Sequence, residues 1–167
     1  YKRQSDKYQS LFSSVNPVST PHFNFSVPEP TGIVAVAAPE ARSLLGLCSA
    51  IAPILTGGNT SVVLASHSKP LCAITLAEVL NSSDVPAGVV NILTGLRDEL
   101  LPQFAEHMDV NAFLLCSDEE EEAKMAGKKA AENLKRVVSH PDSPLEEDPY
   151  HILDFQEIKT TWHPVGV

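Results

Sequence analysis

Gly32-Ile33-Val34-Ala35-Val36-Ala37-Ala38 is a β-rich apolar run, and its place in a repeating alternation of elements decides the fold. A helical stretch over residues 41–55 comes next, closed by the turn residues Thr56-Gly57-Gly58-Asn59. A second β-rich run, Ser61-Val62-Val63-Leu64-Ala65, comes after that. Strand, helix, strand is the βαβ unit, whose crossover is right-handed almost without exception. The alternation continues outward. Further strands are predicted over 89–93, 112–116 and 136–139, all apolar enough to be covered on both faces. Helices are predicted over 70–81, 97–107 and 118–134, with Val85-Pro86-Ala87-Gly88 as another clear stop. The fold class is therefore α/β: a Rossmann-like, doubly wound parallel sheet of about five strands.

The two ends of the chain differ from this middle. Residues 1–31 begin polar and charged, then alternate through His22-Phe23-Asn24-Phe25-Ser26-Val27, the period of a half-exposed strand. After Ser139 comes His140-Pro141-Asp142-Ser143-Pro144-Leu145-Glu146-Glu147-Asp148-Pro149, rich in proline and acid, which reads as a loop or linker over 141–150. Residues 151–167 then alternate again and contain Ile158-Lys159-Thr160-Thr161-Trp162. The chain ends thus supply two strands outside the main sheet.

The 167 residues, 43% of them hydrophobic, suit one sizeable core. Twelve Lys+Arg against 21 Asp+Glu give a net charge of -9, which excludes polyanionic partners such as nucleic acid or an acidic membrane surface. The longest apolar-leaning stretch, 43–55, is too short to span a bilayer and is broken by Ser49 and Pro53. No signal-peptide pattern opens the chain, so a cytoplasmic location is expected. Cys48, Cys72 and Cys116 lack paired spacing, which argues against a disulfide framework and a zinc site alike. No metal site is expected. A first residue of Tyr1 instead of Met reads as an artificial boundary or an excised piece of a longer chain, and a preceding segment is expected.

Three stretches together resemble the coenzyme domain of aldehyde dehydrogenases. They are Glu29-Pro30-Thr31-Gly32-Ile33-Val34, Ile51-Ala52-Pro53-Ile54-Leu55 and Gly58-Asn59-Thr60-Ser61-Val62-Val63. The likeness continues through Leu76-Ala77-Glu78-Val79-Leu80 and Val85-Pro86-Ala87-Gly88-Val89-Val90-Asn91-Ile92-Leu93-Thr94-Gly95, and covers residues 29–139. Leu153-Asp154-Phe155-Gln156-Glu157-Ile158-Lys159-Thr160-Thr161 resembles the family's C-terminal oligomerisation strand. In the family a whole catalytic domain precedes that strand, and here only the 141–150 linker does. The arrangement resembles the truncated second module of family 16 aldehyde dehydrogenases. The resemblance implies bridging strands in 1–31 and 151–167, a degenerate coenzyme-binding domain over 32–140, and a linker replacing the catalytic domain.

The family oxidises aldehydes with a cysteine nucleophile, a glutamate base and an oxyanion-holding asparagine, served by NAD or NADP. Ala41 stands where that asparagine belongs, and His140 where the glutamate belongs, as a solvated loop histidine before Pro141. No cysteine follows Cys116, and the three present read as core residues without a histidine beside them. The ribose-binding lysine and glutamate are replaced by Leu64 and His67, with Lys69 a surface charge. The Gly-Ser pair that opens the phosphate-binding helix is replaced by Ser117-Asp118, with Glu119-Glu120-Glu121-Glu122 directly after it. Ser117 or Asp118 is expected to cap that helix, whose own carboxylates satisfy the dipole that would attract pyrophosphate.

The resemblance therefore implies a non-catalytic module for assembly or protein interaction, with no cofactor. Its expected partner is an upstream aldehyde dehydrogenase module or a second copy of the chain. The expected interface residues are Phe23, Phe25, Val27, Phe155, Ile158, Thr160 and Trp162. The alternative is a structural half of an active NAD(P)-dependent enzyme whose catalytic residues lie upstream.

Overall fold

Val34, Val36 and Ala38 pack into one hydrophobic cluster while Ala35 and Ala37 pack into another, and all five are fully buried. Alternate side chains of one strand are thus covered on opposite faces, which only the centre of a two-sided sheet achieves. The computed structural model describes residues 5–166. In chain order its elements are α1 (Tyr8–Phe12), β1 (Ser14–Asn16), β2 (His22–Pro30), β3 (Ile33–Ala37), α2 (Ser43–Thr56), β4 (Thr60–Leu64) and α3 (Leu71–Asn81). Then come β5 (Val90–Leu93), α4 (Arg97–Glu106), β6 (Ala112–Cys116), α5 (Glu120–Ala130), a 3-10 turn at Ala131–Asn133, β7 (Arg136–His140), α6 (Tyr150–Leu153) and β8 (Gln156–Pro164). The first four residues of the expected 1–31 segment, and Val167, lie outside the described residues.

The five predicted strands form one parallel sheet in the order β5-β4-β3-β6-β7. Helices α2 and α3 cover one face through Leu47, Ala50, Ile51, Ile54 and Ala73. Helices α4 and α5 cover the other through Leu101, Phe104, Ala105 and Ala126. The expectation of strands buried on both faces fails at the margins: Asn91 and Leu93 of β5 and Ser139 of β7 are exposed. Among the described residues each of these strands has a lateral neighbour on one side only, and α3 reaches the core chiefly through Ala73, leaving Leu71 80% exposed.

Helix α5 begins two residues later than predicted, and its cap position is Glu119, with no side-chain cap. Ser117 Oγ accepts the Glu119 N–H at 3.0 Å, while Asp118 accepts the Asp142 N–H at 3.1 Å, so neither caps the helix proper. At the other end, Leu134 takes up the left-handed conformation that stops the helix. Lys135, buried beside it, donates from Nζ to the carbonyls of Phe104, Ala105 and His107. Its ammonium thus satisfies the C-terminal carbonyls of α4, where the helix dipole favours a cation.

The chain ends form a separate antiparallel sheet, β1-β2-β8, with α1 packed against β2. The short elements α1, β1 and α6 carry too few residues to show a sequence period, so the pattern does not predict them. The last strand begins at Gln156, so Phe155 is corrected from strand residue to core residue: it is 1% exposed and packs with Leu47, Ile51 and Ile54. The Phe155 carbonyl accepts Asn59 Nδ2 at 2.9 Å and the Thr31 N–H at 3.2 Å, while Gln156 Nε2 donates to Gly57 O at 2.8 Å. Arg136 holds the same segment from the other side, through Asp154 O, Gln156 O and the Glu157 carboxylate. Two glycines make this junction possible. Gly32 has φ +129° and no room for a Cβ beside Asn111 Oδ1, and a Cβ at Gly57 would strike Gln156 Nε2.

Candidate functional site

Strands β4 and β6 flank β3 on opposite sides, so the sheet's winding reverses at β3. Folds of this kind bind ligands in the crevice outside the strands' carboxyl ends at that point. Here the crevice is lined by Glu40, Arg97, Cys116, Ser117, Asp118, Glu119, Glu122 and Asp142, most of them charged.

Arg97, at the first turn of α4, reaches across the strand ends. Its Nη1 donates to Ala38 O at 3.3 Å and its Nη2 to Cys116 O at 3.2 Å, tying together the ends of β3 and β6. The same guanidinium forms a two-pronged pair with Glu122 of α5, Nε to Oε1 at 3.1 Å and Nη2 to Oε2 at 2.7 Å. Both side chains are shielded, with 16% and 19% of their surface exposed. Burial works against the charge on Arg97, but the Glu122 contact, helped by Glu40 and Asp142, raises its pKa above the ordinary arginine value. The Arg97 hydrogen bond in turn lowers the pKa of Glu122.

Glu40 sits on the opposite lip. Its carboxylate accepts Ser66 Oγ at 2.7 Å, the His67 N–H at 2.7 Å, the Ser68 N–H at 3.2 Å and Ser68 Oγ at 2.7 Å. Burial pushes this carboxyl up, but the four donors outweigh it and bring the pKa down from 4.5 to about 2. The folded state therefore binds fewer protons than the unfolded one. Its contribution is complete above pH 4.5 and is lost as the pH falls through about 2. Allowing for solvent screening, this amounts to about 1 kcal/mol. Glu40→Gln is expected to flatten the fall of melting temperature between pH 4.5 and 2, and an unaltered acid limb would refute the assignment.

The sequence-aligned positions lie around this cluster. Ala41 presents a methyl group, and its N–H, with that of Glu40, points at Asp142 Oδ1. Leu64 is fully buried at the end of β4, His67 is exposed and contributes its backbone to the Glu40 clasp, and Lys69 is exposed. Ser117 and Asp118 border the crevice. His140 is corrected from loop residue to strand residue: it ends β7, opposite Cys116, and is half-buried. Burial, with His151 nearby, depresses its pKa, Asp154 opposing. Cys116 is buried, and that burial drives its thiol up to about 12, far from a thiolate nucleophile. Burial likewise raises the pKa of Cys48.

The expected interface residues do not gather into one surface. In the β2–β8 register Phe23 pairs with His163, Phe25 with Thr161 and Val27 with Lys159, on one face. Trp162 pairs with Asn24, Thr160 with Ser26 and Ile158 with Pro28, on the other. Polar hydrogen bonds Asn16–Ser26 at 2.9 Å and Ser26–Thr160 at 2.8 Å run across all three strands of that second face. Sequence inspection missed Arg97, Glu122 and Asp142 as site residues. The run of glutamates was visible, but nothing in it marked Glu122 as the one that meets an arginine 25 residues earlier.

A doubly wound sheet with a switch-point crevice and a separate ribbon of terminal strands defines a nucleotide-fold domain with an accessory sheet. The sequence profile of the aldehyde dehydrogenase family matches residues 3–140, and the chain belongs to that family. It is 35% identical over 133 residues to hydroxyisobutyraldehyde dehydrogenase of Mycolicibacterium austroafricanum, covering 74% of this chain and 26% of that one. Among solved structures, an indole-3-acetaldehyde dehydrogenase in apo form superposes with a TM-score of 0.76 at 29% identity, covering 83% of this chain and 33% of the other. A betaine aldehyde dehydrogenase of Staphylococcus aureus, solved with NAD+, gives 0.73 at 25% identity, covering 77% and 26%. The chain thus spans roughly a quarter of the length of the curated relatives it matches. Among the described residues no helix is long and apolar enough to cross a membrane.

Proposed function

We propose that this part of the family serves assembly instead of catalysis, and that β8 offers its edge to another protein surface. The observation that carries this is the free side of β8: among the described residues β8 pairs only with β2, leaving the outer edge of a nine-residue strand unpaired. Apolar side chains stand exposed on both faces of the ribbon, Phe23 and Val15 on one, Ile158 and Trp162 on the other. An open edge flanked by such residues pairs with a further strand. The partner is an upstream aldehyde dehydrogenase module in the same polypeptide or a second copy of this chain. Ala41 in place of the oxyanion amide, and the Arg97–Glu122 pair in the crevice, support a module without aldehyde chemistry or nucleotide cofactor.

Sedimentation of the wild-type chain against an Ile158→Lys/Trp162→Lys variant tests the edge. Both positions are more than half exposed, so the fold tolerates the change, and lysine on an edge opposes strand addition. The wild type is expected to sediment as a dimer or larger and the variant as a single chain. Identical sedimentation of the two would sink the proposal for self-association. A second reading rests on the chain's short span of its relatives: it is the structural half of an active NAD(P)-dependent dehydrogenase whose catalytic residues lie elsewhere in the polypeptide.

A further inference from the structure

His151 and Asp154 lie three residues apart on one turn at α6, a spacing that places both on one side of the helix. The linker folds back so that this side meets His140 at the end of β7. The two imidazole rings stand nearly perpendicular, at 77°, with centroids 4.9 Å apart. His151 Nδ1 is 3.4 Å from Asp154 Oδ2. One ligand atom from each of the three residues lies within 4.8 Å of the other two, and all three side chains are half-buried.

We propose that His140, His151 and Asp154 form a binding site for a divalent transition-metal ion of the zinc class. Zinc holds nitrogen and oxygen ligands at about 2.0 to 2.2 Å, which sets tetrahedral ligand atoms about 3.3 to 3.5 Å apart. His151 and Asp154 already stand at that spacing. His140 offers a ring nitrogen within 4.8 Å of both. Two imidazoles with one carboxylate select zinc-like ions over magnesium or calcium, which take oxygen ligands.

The surroundings favour a cation. The acidic Glu146 and Asp148 line the cleft beside the cluster. The same cleft is lined by His140, His151 and Ser143. The cysteines, which pointed away from zinc in the sequence, are not the donors. Such an ion fastens the end of β7 to the turn that launches β8, and its binding is independent of whether β8 pairs with another chain.

Zn2+ titrated calorimetrically into the untagged chain after chelator dialysis tests the site. One ion per chain is expected, with Co2+ giving visible absorption bands at the same stoichiometry. Asp154→Asn, which preserves shape, and His151→Ala are each expected to weaken Zn2+ binding at least tenfold. His163→Ala, on exposed β8 away from the cluster, is expected to bind as the wild type does. No uptake of Zn2+ by the wild type, undiminished binding by Asp154→Asn, or equal competition from Mg2+ would each overturn the site.

Discussion

Phe155→Ala is expected to cost about 3 to 5 kcal/mol of stability, the range for removing a buried aromatic side chain. For a chain of this size that lowers the melting temperature by roughly 6 to 20 °C. The ring is 1% exposed and fills the space between α2 and the sheet, so the cavity left behind has no solvent to relax into. Its backbone adds a second reason for a large effect. The Phe155 carbonyl is gripped by Asn59, whose other amide atom accepts the Gly32 N–H at 2.9 Å. One buried asparagine therefore connects the entry to β3 with the exit to β8, and loosening Phe155 loosens both. Leu71→Ala, at 80% exposure and away from the ribbon, serves as the control and is expected to shift stability by no more than about 0.5 kcal/mol. Thermal melts of the two variants in which they destabilise equally would disprove the core role of Phe155.

Arg97→Met is expected to cost about 3 to 5 kcal/mol, because it removes the cationic partner of the shielded Glu122 carboxylate and the Arg97 donors to two strand-end carbonyls. Most of that loss comes from the orphaned charge, not from the pair's net attraction. Arg97→Met/Glu122→Leu is accordingly expected to be more stable than Arg97→Met alone by about 1 to 3 kcal/mol. Denaturant unfolding of the single and double variants measures the difference, and simple additivity would refute the coupling. The same variants probe the crevice. NAD+ is expected to leave the wild-type melting temperature unchanged, and a concentration-dependent rise would show that nucleotide binds despite the pair.

The sheet was legible in the sequence because its strands are short, apolar and separated by helix-length segments. The runs at 61–65 and 112–116 announce β4 and β6 almost residue for residue. What stayed hidden depended on partners distant in sequence. Arg97 reads as an ordinary helix start until Ala38, Cys116 and Glu122 surround it. The ribbon shows the same limit in another form. Alternation within 22–27 and within 158–162 is plain, but which parity of one strand faces which parity of the other is set by register, and a single-residue offset reverses it. Phe23 and Trp162 therefore fall on opposite faces although each strand's own pattern is clear. His140 was visible only as a replacement for a glutamate, since His151 and Asp154 approach it through the fold of a proline-rich linker that carries no period.

The register of β2 against β8 also governs how the molecule is made and undone. Its partners are separated by 142 residues at His22–Pro164 and 126 at Pro30–Gln156, so every rung closes a loop spanning most of the chain. The βαβ units join neighbours far nearer in sequence, and their loop-closure entropy is correspondingly smaller. Pairing of β8 with β2 is therefore expected to follow formation of the βαβ units, whereas the β1–β2 pair of the ribbon is local. Substitutions in β8 that loosen its pairing should then leave the folding rate nearly untouched and accelerate unfolding.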